Sequence, residues 1–248
     1  MALYKQEEIV LSIGETWKRD AVLKFAAKME DKARPFPCIP ATIGHQLEHF
    51  RYGFLPHPAA SDSAIKLASA LDEYAKHYQE FGNYTSLVLF YKDTDREALS
   101  VEQYEQLFWS QLNKSAKLDT AQWPDHIPKD AENPLWEFCF NGEQFFVYCG
   151  TPAHEKRLSR YFPYLILAIT PRSVLVEFNS SKGRASKVKS DIRKRLAAYD
   201  TAPIHPDLNT YGNGDNYEWK QYFLRDDDTT LSRCPFHRYL KMKSENDV

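Results

Sequence analysis

Two histidines and a glutamate lie close together in the segment His45-Gln46-Leu47-Glu48-His49. This spacing matches the HxxEH pattern of zinc peptidases, in which two histidines one helical turn apart bind the metal and the glutamate activates water. The pattern raises the hypothesis of a zinc hydrolase that uses His45, Glu48 and His49. Five residues also match by chance, and no third protein ligand can be identified, so a surface helix is the competing interpretation.

A second chemical candidate is the thiol of Cys38, in the segment RPFPCIP from Arg34 to Pro40. Prolines on both sides restrict the backbone, so the thiol is held on a stiff frame. Such a thiol is either a reactive thiolate, an axial iron ligand or an inert buried cysteine. The four cysteines of the chain form no CxxC pair and are too scattered for a secreted disulfide scaffold.

A third candidate is His154, which lies in TPAHEKRLSRYF directly after a predicted hairpin. The guanidinium groups of Arg157 and Arg160 are close to it in the sequence. An imidazole at a sheet edge with two nearby cations could ligate iron or orient a ligand. An ordinary loop histidine is the alternative interpretation.

Composition excludes several classes of function. The formal net charge is -2, which gives no global attraction to nucleic acid or anionic lipid and favours small partners. The basic stretch from Lys182 to Arg195 holds seven basic residues and one acidic residue, but no aromatic residue is interleaved, which is typical of a solvated helix face. No GxSxG, phosphate-loop or GxGxxG motif occurs. The first residues lack the features of a secretory signal, so we expect a cytoplasmic protein without a membrane span.

Helices are predicted where apolar residues recur at helical spacing. Ser100 and Gln103 form a capping-box pattern that predicts the start of one of them. In the helix predicted from Ser63, we expect Ile65, Ala68 and Leu71 on the buried face. The predicted helices cover Glu15–Asp31, Ile43–Tyr52, Ser63–Tyr78, a segment from Val101 to Leu112, and Ser190–Tyr199, in which Ile192 and Leu196 face inward.

Strands are predicted from aromatic and β-branched runs between turn residues. Asn141-Gly142 lies between two such runs in WEFCFNGEQFFVYC, which predicts a tight antiparallel hairpin. Helices and strands mix without regular βαβ alternation, so we expect an α+β fold: a single domain with a largely antiparallel sheet flanked by helices. The remaining predicted strands are Tyr84–Tyr91, Tyr164–Thr170 and the tail segment YEWKQYFL, Tyr217–Leu224.

Two short motifs frame the chain, Phe36-Pro37-Cys38 near its start and Cys234-Pro235-Phe236 near its end. Together with YGF, FFVYCGTPAH, RLSRYF and EWKQYFL between them, this order resembles the bacterial YqcI/YcgG family, which is marked by FPC and CPF motifs. The resemblance covers most of the chain and implies one YqcI/YcgG-like domain over residues 1–248.

The resemblance implies a heme-dependent monooxygenase that hydroxylates nitrogen in a small amine or guanidine. Such an enzyme needs heme b, dioxygen and an electron donor, and a homodimer is a candidate assembly. By this resemblance His154 is the expected axial ligand, with Cys38 as the rival, and Arg157 and Arg160 are expected to meet the heme propionates. The FPC and CPF motifs are expected to face each other across the heme pocket. A non-catalytic heme-binding or heme-sensing protein is the alternative function.

Overall fold

A five-stranded sheet forms the centre of the protein in the computed structural model, which describes residues 1–12, 14–92, 98–178, 182–209 and 214–236. The strand order is β1-β2-β5-β4-β3. β1 and β2 pair in parallel, and the other neighbours pair antiparallel. This confirms the expected α+β fold with a largely antiparallel sheet. The strands are β1 Arg51–Leu55, β2 Leu87–Tyr91, β3 Phe138–Phe140, β4 Glu143–Gly150 and β5 Ile166–Pro171.

Eight α-helices occur within the described residues and flank this sheet. A short 3-10 helix, Tyr78–Phe81, follows the fourth of them. The helices are α1 Gln6–Ser12, α2 Thr16–Glu30, α3 Ile39–Gln46, α4 Ser63–His77, α5 Val101–Ala116, α6 Arg172–Phe178, α7 Lys182–Tyr199 and α8 Trp219–Tyr222.

The two faces of the sheet bury different side chains because successive residues of a strand point to opposite faces. Phe145 and Val147 of β4 lie in a first hydrophobic core that also contains residues of α4 and α5. The opposite face meets a second core, in which Val88 and Phe90 of β2 contact α2 residues such as Phe25. We call these the α4/α5 core and the α2 core.

Local turn and cap signals in the sequence are confirmed. Asn141 and Gly142 have φ values of 51° and 76°, which are the left-handed values required by the tight hairpin turn between β3 and β4. The Ser100 side chain accepts a hydrogen bond from the backbone N–H of Gln103, and the Gln103 side chain accepts one from the Ser100 N–H. This capping box begins α5 as predicted.

The predicted helix over Ile43–Tyr52 is wrong. α3 begins earlier, at Ile39, because Pro40 suits the first turn of a helix, where its missing N–H is not needed. It ends at Gln46, and Glu48 has a φ of 59°, which breaks the helix. The residues that follow form β1, which pairs with β2.

Two further sequence predictions differ from the structure. The tail segment predicted as a strand contains the short helix α8 instead, because Trp219 and Tyr222 bury their rings in the α4/α5 core rather than alternating across a sheet. On α4, Ile65 is 58% exposed, whereas Leu67 and Leu71 are fully buried. Ala68 and Leu71 are buried as predicted, so Ile65 alone departs from the predicted face.

Gly44 allows α3 to lie close to the segments that precede β1 and β2. A Cβ atom at this position would collide with the backbone carbonyl oxygen of Tyr84 and lie 2.7 Å from Cε1 of Phe50. We expect Gly44→Ala to lower the free energy of unfolding by about 1–3 kcal/mol, the usual cost of overpacking. The measurement is the denaturant midpoint by circular dichroism.

Gly183→Ala is the matched control for this substitution. Gly183 is also in a helix, but no atom lies within 4 Å of a Cβ built there. This change should be neutral or slightly stabilising, since alanine favours helix more than glycine does. Equal unfolding midpoints for the two variants would contradict the proposed close approach.

Candidate functional site

A cavity of about 720 Å³ lies on the face of the sheet that meets the α2 core. Its floor is formed by Phe146 and Tyr148 of β4 and by Ala168 and Thr170 of β5. These residues are cross-strand pairs, Phe146 with Thr170 and Tyr148 with Ala168, so they share one face of the sheet. The volume falls in the range of small-molecule and cofactor sites.

Apolar side chains from three segments form the walls of the cavity. α2 contributes Phe25 and Met29, and the loop before α3 contributes Phe36. Ile192 and Leu196 of α7, which the sequence predicts to face inward, also line the cavity. Six residues of the lining are aromatic, and their faces suit a flat organic ligand.

The thiol of Cys38 faces this cavity. Cys38 directly precedes the first residue of α3 and is exposed, whereas Phe36 and Pro37 beside it are buried. Although Cys38 is open to the cavity, the dense protein around its sulfur raises the pKa of the thiol, and the Ala41 backbone amide and the Arg160 guanidinium oppose this shift. The loop that looked stiff in the sequence therefore presents a soft metal ligand to an apolar cavity.

Arg160 also lines the cavity, but its guanidinium is bound to backbone. Its Nη1 donates to the carbonyl oxygens of Cys149 and Tyr222, at 3.2 and 2.9 Å, and its Nη2 donates to that of Gln221 at 2.8 Å. Its Cζ lies 4.4 Å from the centre of the Tyr148 ring, a cation–π contact. The cation therefore connects β4 with α8 at one end of the cavity.

Arg157 is bound in a similar way and is only 1% exposed. Its guanidinium donates to the carbonyl oxygens of Arg225 and Pro203, both at 2.6 Å, and to the Asp228 carboxylate at 2.9 Å. The structure thus uses both Arg157 and Arg160 to hold chain segments together. Because protein groups already accept these hydrogen bonds, what the two arginines could offer to heme propionates is their positive charge.

His154 lies outside the lining of the cavity, in contrast to its expected role as the iron ligand. Its Nε2 is 2.8 Å from the Leu224 carbonyl oxygen, and its Nδ1 is 2.8 Å from the Thr151 hydroxyl. A carbonyl oxygen can only accept, so Nε2 carries the proton and Nδ1 accepts from Thr151. Burial also lowers the pKa of His154, which favours the neutral ring. With both nitrogens engaged, His154 is placed as a structural residue.

The CPF motif lies in the α4/α5 core, on the other side of the sheet from Cys38. The Phe236 ring is 5.2 Å from that of Trp136 and 5.7 Å from that of Phe138. The Cys234 amide donates to Glu132, and the Pro235 carbonyl accepts from Asn113. The expectation that Cys234, Pro235 and Phe236 face the FPC motif across one pocket is therefore wrong.

The zinc-hydrolase hypothesis is also wrong. α3 ends at Gln46, so His45 and His49 are not related by a helical turn. The His45 ring bonds to Glu30 at 3.0 Å and to the Tyr52 hydroxyl at 3.3 Å, while Nδ1 of His49 accepts from the Tyr84 amide. Among the described residues, no group of three or more His, Cys, Asp or Glu side chains could hold a metal ion.

A buried ionic triad beside the cavity was missed by sequence reasoning. Arg172 donates from Nε to Glu137 at 2.6 Å and from Nη2 to Glu218. Arg172 and Glu218 line the cavity. Burial raises the pKa of Glu218 to about 7; Arg172 opposes this shift and Glu137 adds to it. The partners are 35 and 46 residues apart, so no local pattern marks them.

Two cations of the basic stretch lie at the rim of the cavity. Lys189 and Arg193 are one turn apart on α7, are exposed, and belong to the cavity lining. Arg193 also donates to the Leu208 carbonyl oxygen at 2.7 Å. Part of the helix face that was interpreted as merely solvated is thus placed to meet acidic groups of a ligand.

The fold is that of an α+β protein with a cavity of the size that small molecules occupy, and comparison with known proteins gives its family. Residues 25–237 match the model of the YqcI/YcgG family, so the chain belongs to this family. The matched range contains every residue that lines the cavity. The family resemblance inferred from the motifs is therefore confirmed.

The chain is 44% identical to YqcI of Bacillus subtilis (strain 168) over 231 residues, which cover 92% of this chain and 89% of the relative. It is also 44% identical to YcgG of the same strain, covering 91% and 89%. A third relative is a Streptomyces lavendulae protein named "Putative N(omega)-hydroxy-L-arginine synthase DcsA". The two sequences are 30% identical, and the match covers 94% of this chain and 89% of the relative. No solved structure gives a significant match.

Helix lengths and hydropathy bear on membrane association. Within the described ranges, no helix is both long enough and apolar enough to cross a bilayer.

We expect Cys38 to be the fast-reacting thiol of the folded protein. Cys139, Cys149 and Cys234 are at most 7% exposed and line no part of this cavity. Iodoacetamide should therefore modify Cys38 at least about tenfold faster than the others, measured by peptide mass spectrometry. Because burial raises the Cys38 pKa, its rate should keep rising with pH beyond the range where an ordinary cysteine levels off.

Cys38→Ser supplies the control for this labelling experiment, since it should remove the fast phase and leave the slow ones unchanged. Modification of Cys149 at the rate of Cys38 would show that the cavity does not present the thiol as described.

Proposed function

We propose that this protein is a heme-dependent monooxygenase that hydroxylates a nitrogen atom of a small guanidine or amine. The observation that carries the proposal is the apolar cavity of about 720 Å³ with the Cys38 thiol in its wall. The similarity to a protein named as an N(omega)-hydroxy-L-arginine synthase supports the reaction and the substrate class. That similarity is 30% in identity, so the substrate itself is part of the proposal.

The residues that line the cavity fit heme b. The macrocycle is flat and apolar and would pack on aromatic side chains such as Phe25, Phe36 and Phe162. Its two propionates are carboxylates, which the exposed cations Lys189 and Arg193 at the rim would hold. When bound, heme supplies the binding and activation of dioxygen.

Cys38 is the residue we propose as the axial ligand, in preference to His154. Iron binds the thiolate, so the proton must leave the sulfur. The surroundings of the sulfur raise the pKa of this thiol, and the Ala41 amide and the positive charge of Arg160 partly offset that shift, so binding of the metal would have to displace the proton. His154 cannot take the role in this conformation because both of its ring nitrogens are hydrogen bonded.

The overall reaction requires an external electron donor. One oxygen atom of dioxygen enters the N–H bond of the substrate to give N–OH, and the other leaves as water. A pair of electrons and a pair of protons balance this step, and a reductase or small donor must supply the electrons. The apolar walls of the cavity serve the reaction by excluding water from the reacting nitrogen.

The proposed ligand can be tested by absorption spectroscopy of protein expressed with a heme supply. We expect wild-type protein to show a Soret band, and the ferrous carbon-monoxide form to show the red shift typical of thiolate ligation. Cys38→Ala should shift or abolish this band, because it removes the sulfur donor.

His154→Ala and Cys234→Ala are the controls for the spectra. Both should keep the wild-type Soret position, since neither residue lines the cavity. A His154→Ala variant that alone loses the band would overturn the assignment of Cys38 and restore the histidine as ligand. Wild-type protein that stays colourless after heme reconstitution would overturn heme binding altogether.

Turnover separates an oxygenase from the alternative of a heme-binding or heme-sensing protein. With dioxygen, a reductant system and L-arginine or a simple guanidine, we expect an N-hydroxylated product gaining one oxygen atom by mass spectrometry. Labelled dioxygen should deliver its label to the product, whereas labelled water should not. A protein that binds heme but gives no product across a panel of guanidines and amines would favour the non-catalytic alternative.

A further inference from the structure

The buried triad of Arg172, Glu137 and Glu218 contains more acidic groups than basic ones. One guanidinium meets two carboxylates, so full ionisation of both leaves a negative charge inside the protein. Each carboxylate uses one oxygen to accept from Arg172. Within the described residues, the remaining oxygens, Oε1 of Glu137 and Oε2 of Glu218, are buried without a hydrogen-bond partner. Such unsatisfied acceptors are costly and call for a missing donor.

Only one of these two carboxylates meets the cavity. Glu137 is fully buried and does not belong to the lining, whereas Glu218 is 3% exposed and does. Burial keeps the affinity of Glu218 for protons high, with a pKa of about 7. A ligand in the cavity that donates N–H bonds and carries positive charge would satisfy the free oxygen and the excess charge together.

We propose that Glu218 is the residue that recognises the cationic nitrogen group of the substrate, a guanidinium or an ammonium. This inference rests on the proposed function, because it assigns to the same cavity the part of the site that selects its substrate. Arg172 is a positioning residue here: it holds the Glu218 side chain through Oε1 and leaves Oε2 for the ligand.

Proton release should accompany binding of the cation. The charged or titratable groups around Glu218 are Arg172, Glu137 and Tyr222. With its pKa at about 7, Glu218 is largely protonated below that pH, and a bound cation favours the ionised form. Affinity should therefore rise as pH increases through 7, and binding below pH 7 should release a proton.

The test is isothermal titration calorimetry of the purified full chain, with and without added heme, using L-arginine and L-citrulline. Citrulline has nearly the same shape but carries a neutral urea group in place of the guanidinium. We expect arginine to bind at least about tenfold more tightly to the wild-type protein. Glu218→Gln should remove this preference and the proton release, which is measured by comparing buffers of different ionisation enthalpy.

Glu105→Gln is the matched control. Glu105 is 5% exposed and accepts from Arg225 at 2.6 Å, so it too is a buried carboxylate paired with an arginine, but it lies outside the cavity. This variant should keep the wild-type preference. Circular dichroism and the unfolding midpoint show whether each variant is folded, and Glu218→Asp, which keeps the charge, should retain part of the preference.

The outcomes separate this inference from the proposed function. Equal affinities of wild-type protein for arginine and citrulline, or an unchanged preference in folded Glu218→Gln, would overturn the role of Glu218 even if heme binds and product forms. A preference that depends on Glu218, in a protein that takes up no heme, would support the cation site and overturn the oxygenase.

Discussion

The buried guanidinium of Arg160 is the interaction on which the candidate site depends most. In the described chain its hydrogen-bond partners are backbone carbonyls of β4 and α8, and its cation lies against the Tyr148 ring. Carbonyl oxygens and an aromatic face hold a cation without neutralising it. Its positive charge therefore acts on groups in the cavity, where it opposes the rise in the pKa of Cys38.

The sheet makes this arrangement possible because β4 and β5 each turn one face to the α4/α5 core and the other to the α2 core and the cavity. Phe145 and Val147 stabilise the α4/α5 core, and the alternate residues Phe146 and Tyr148 leave their side chains for the cavity floor. The α2 core fills only part of the second face, so the rest of that face keeps a space that close packing would otherwise fill. The CPF motif belongs to the first face and packs in its core, so it is remote from the cavity.

Most of the local structure could be predicted from the sequence, because local signals determine it. The Asn141-Gly142 turn and the Ser100 cap each depend on residues within a few positions. The sequence did not predict β1, because a strand in a parallel pair is stabilised by a partner that is distant in the sequence. It did not predict α8, because aromatic residues favour strands and only their packing in the core shows that this segment is helical.

The candidate site was less predictable for the same reason. The partner of His154 is the Leu224 carbonyl, 70 residues away, and this contact changes a candidate ligand into a structural residue. Glu218 is one of 34 acidic residues in the sequence, and only its burial and its contact with Arg172 distinguish it. A site whose residues meet across the fold needs the fold to be recognised.

The lining of the cavity carries charges of both signs. Arg160 lies against the Tyr148 ring, and its guanidinium opposes the rise in the pKa of Cys38. Asp200 and Glu218 contribute carboxylates to the same lining, and Oε2 of Glu218 has no hydrogen-bond partner among the described residues. A ligand that carries both an acidic and a cationic group would therefore find a partner for each within one cavity.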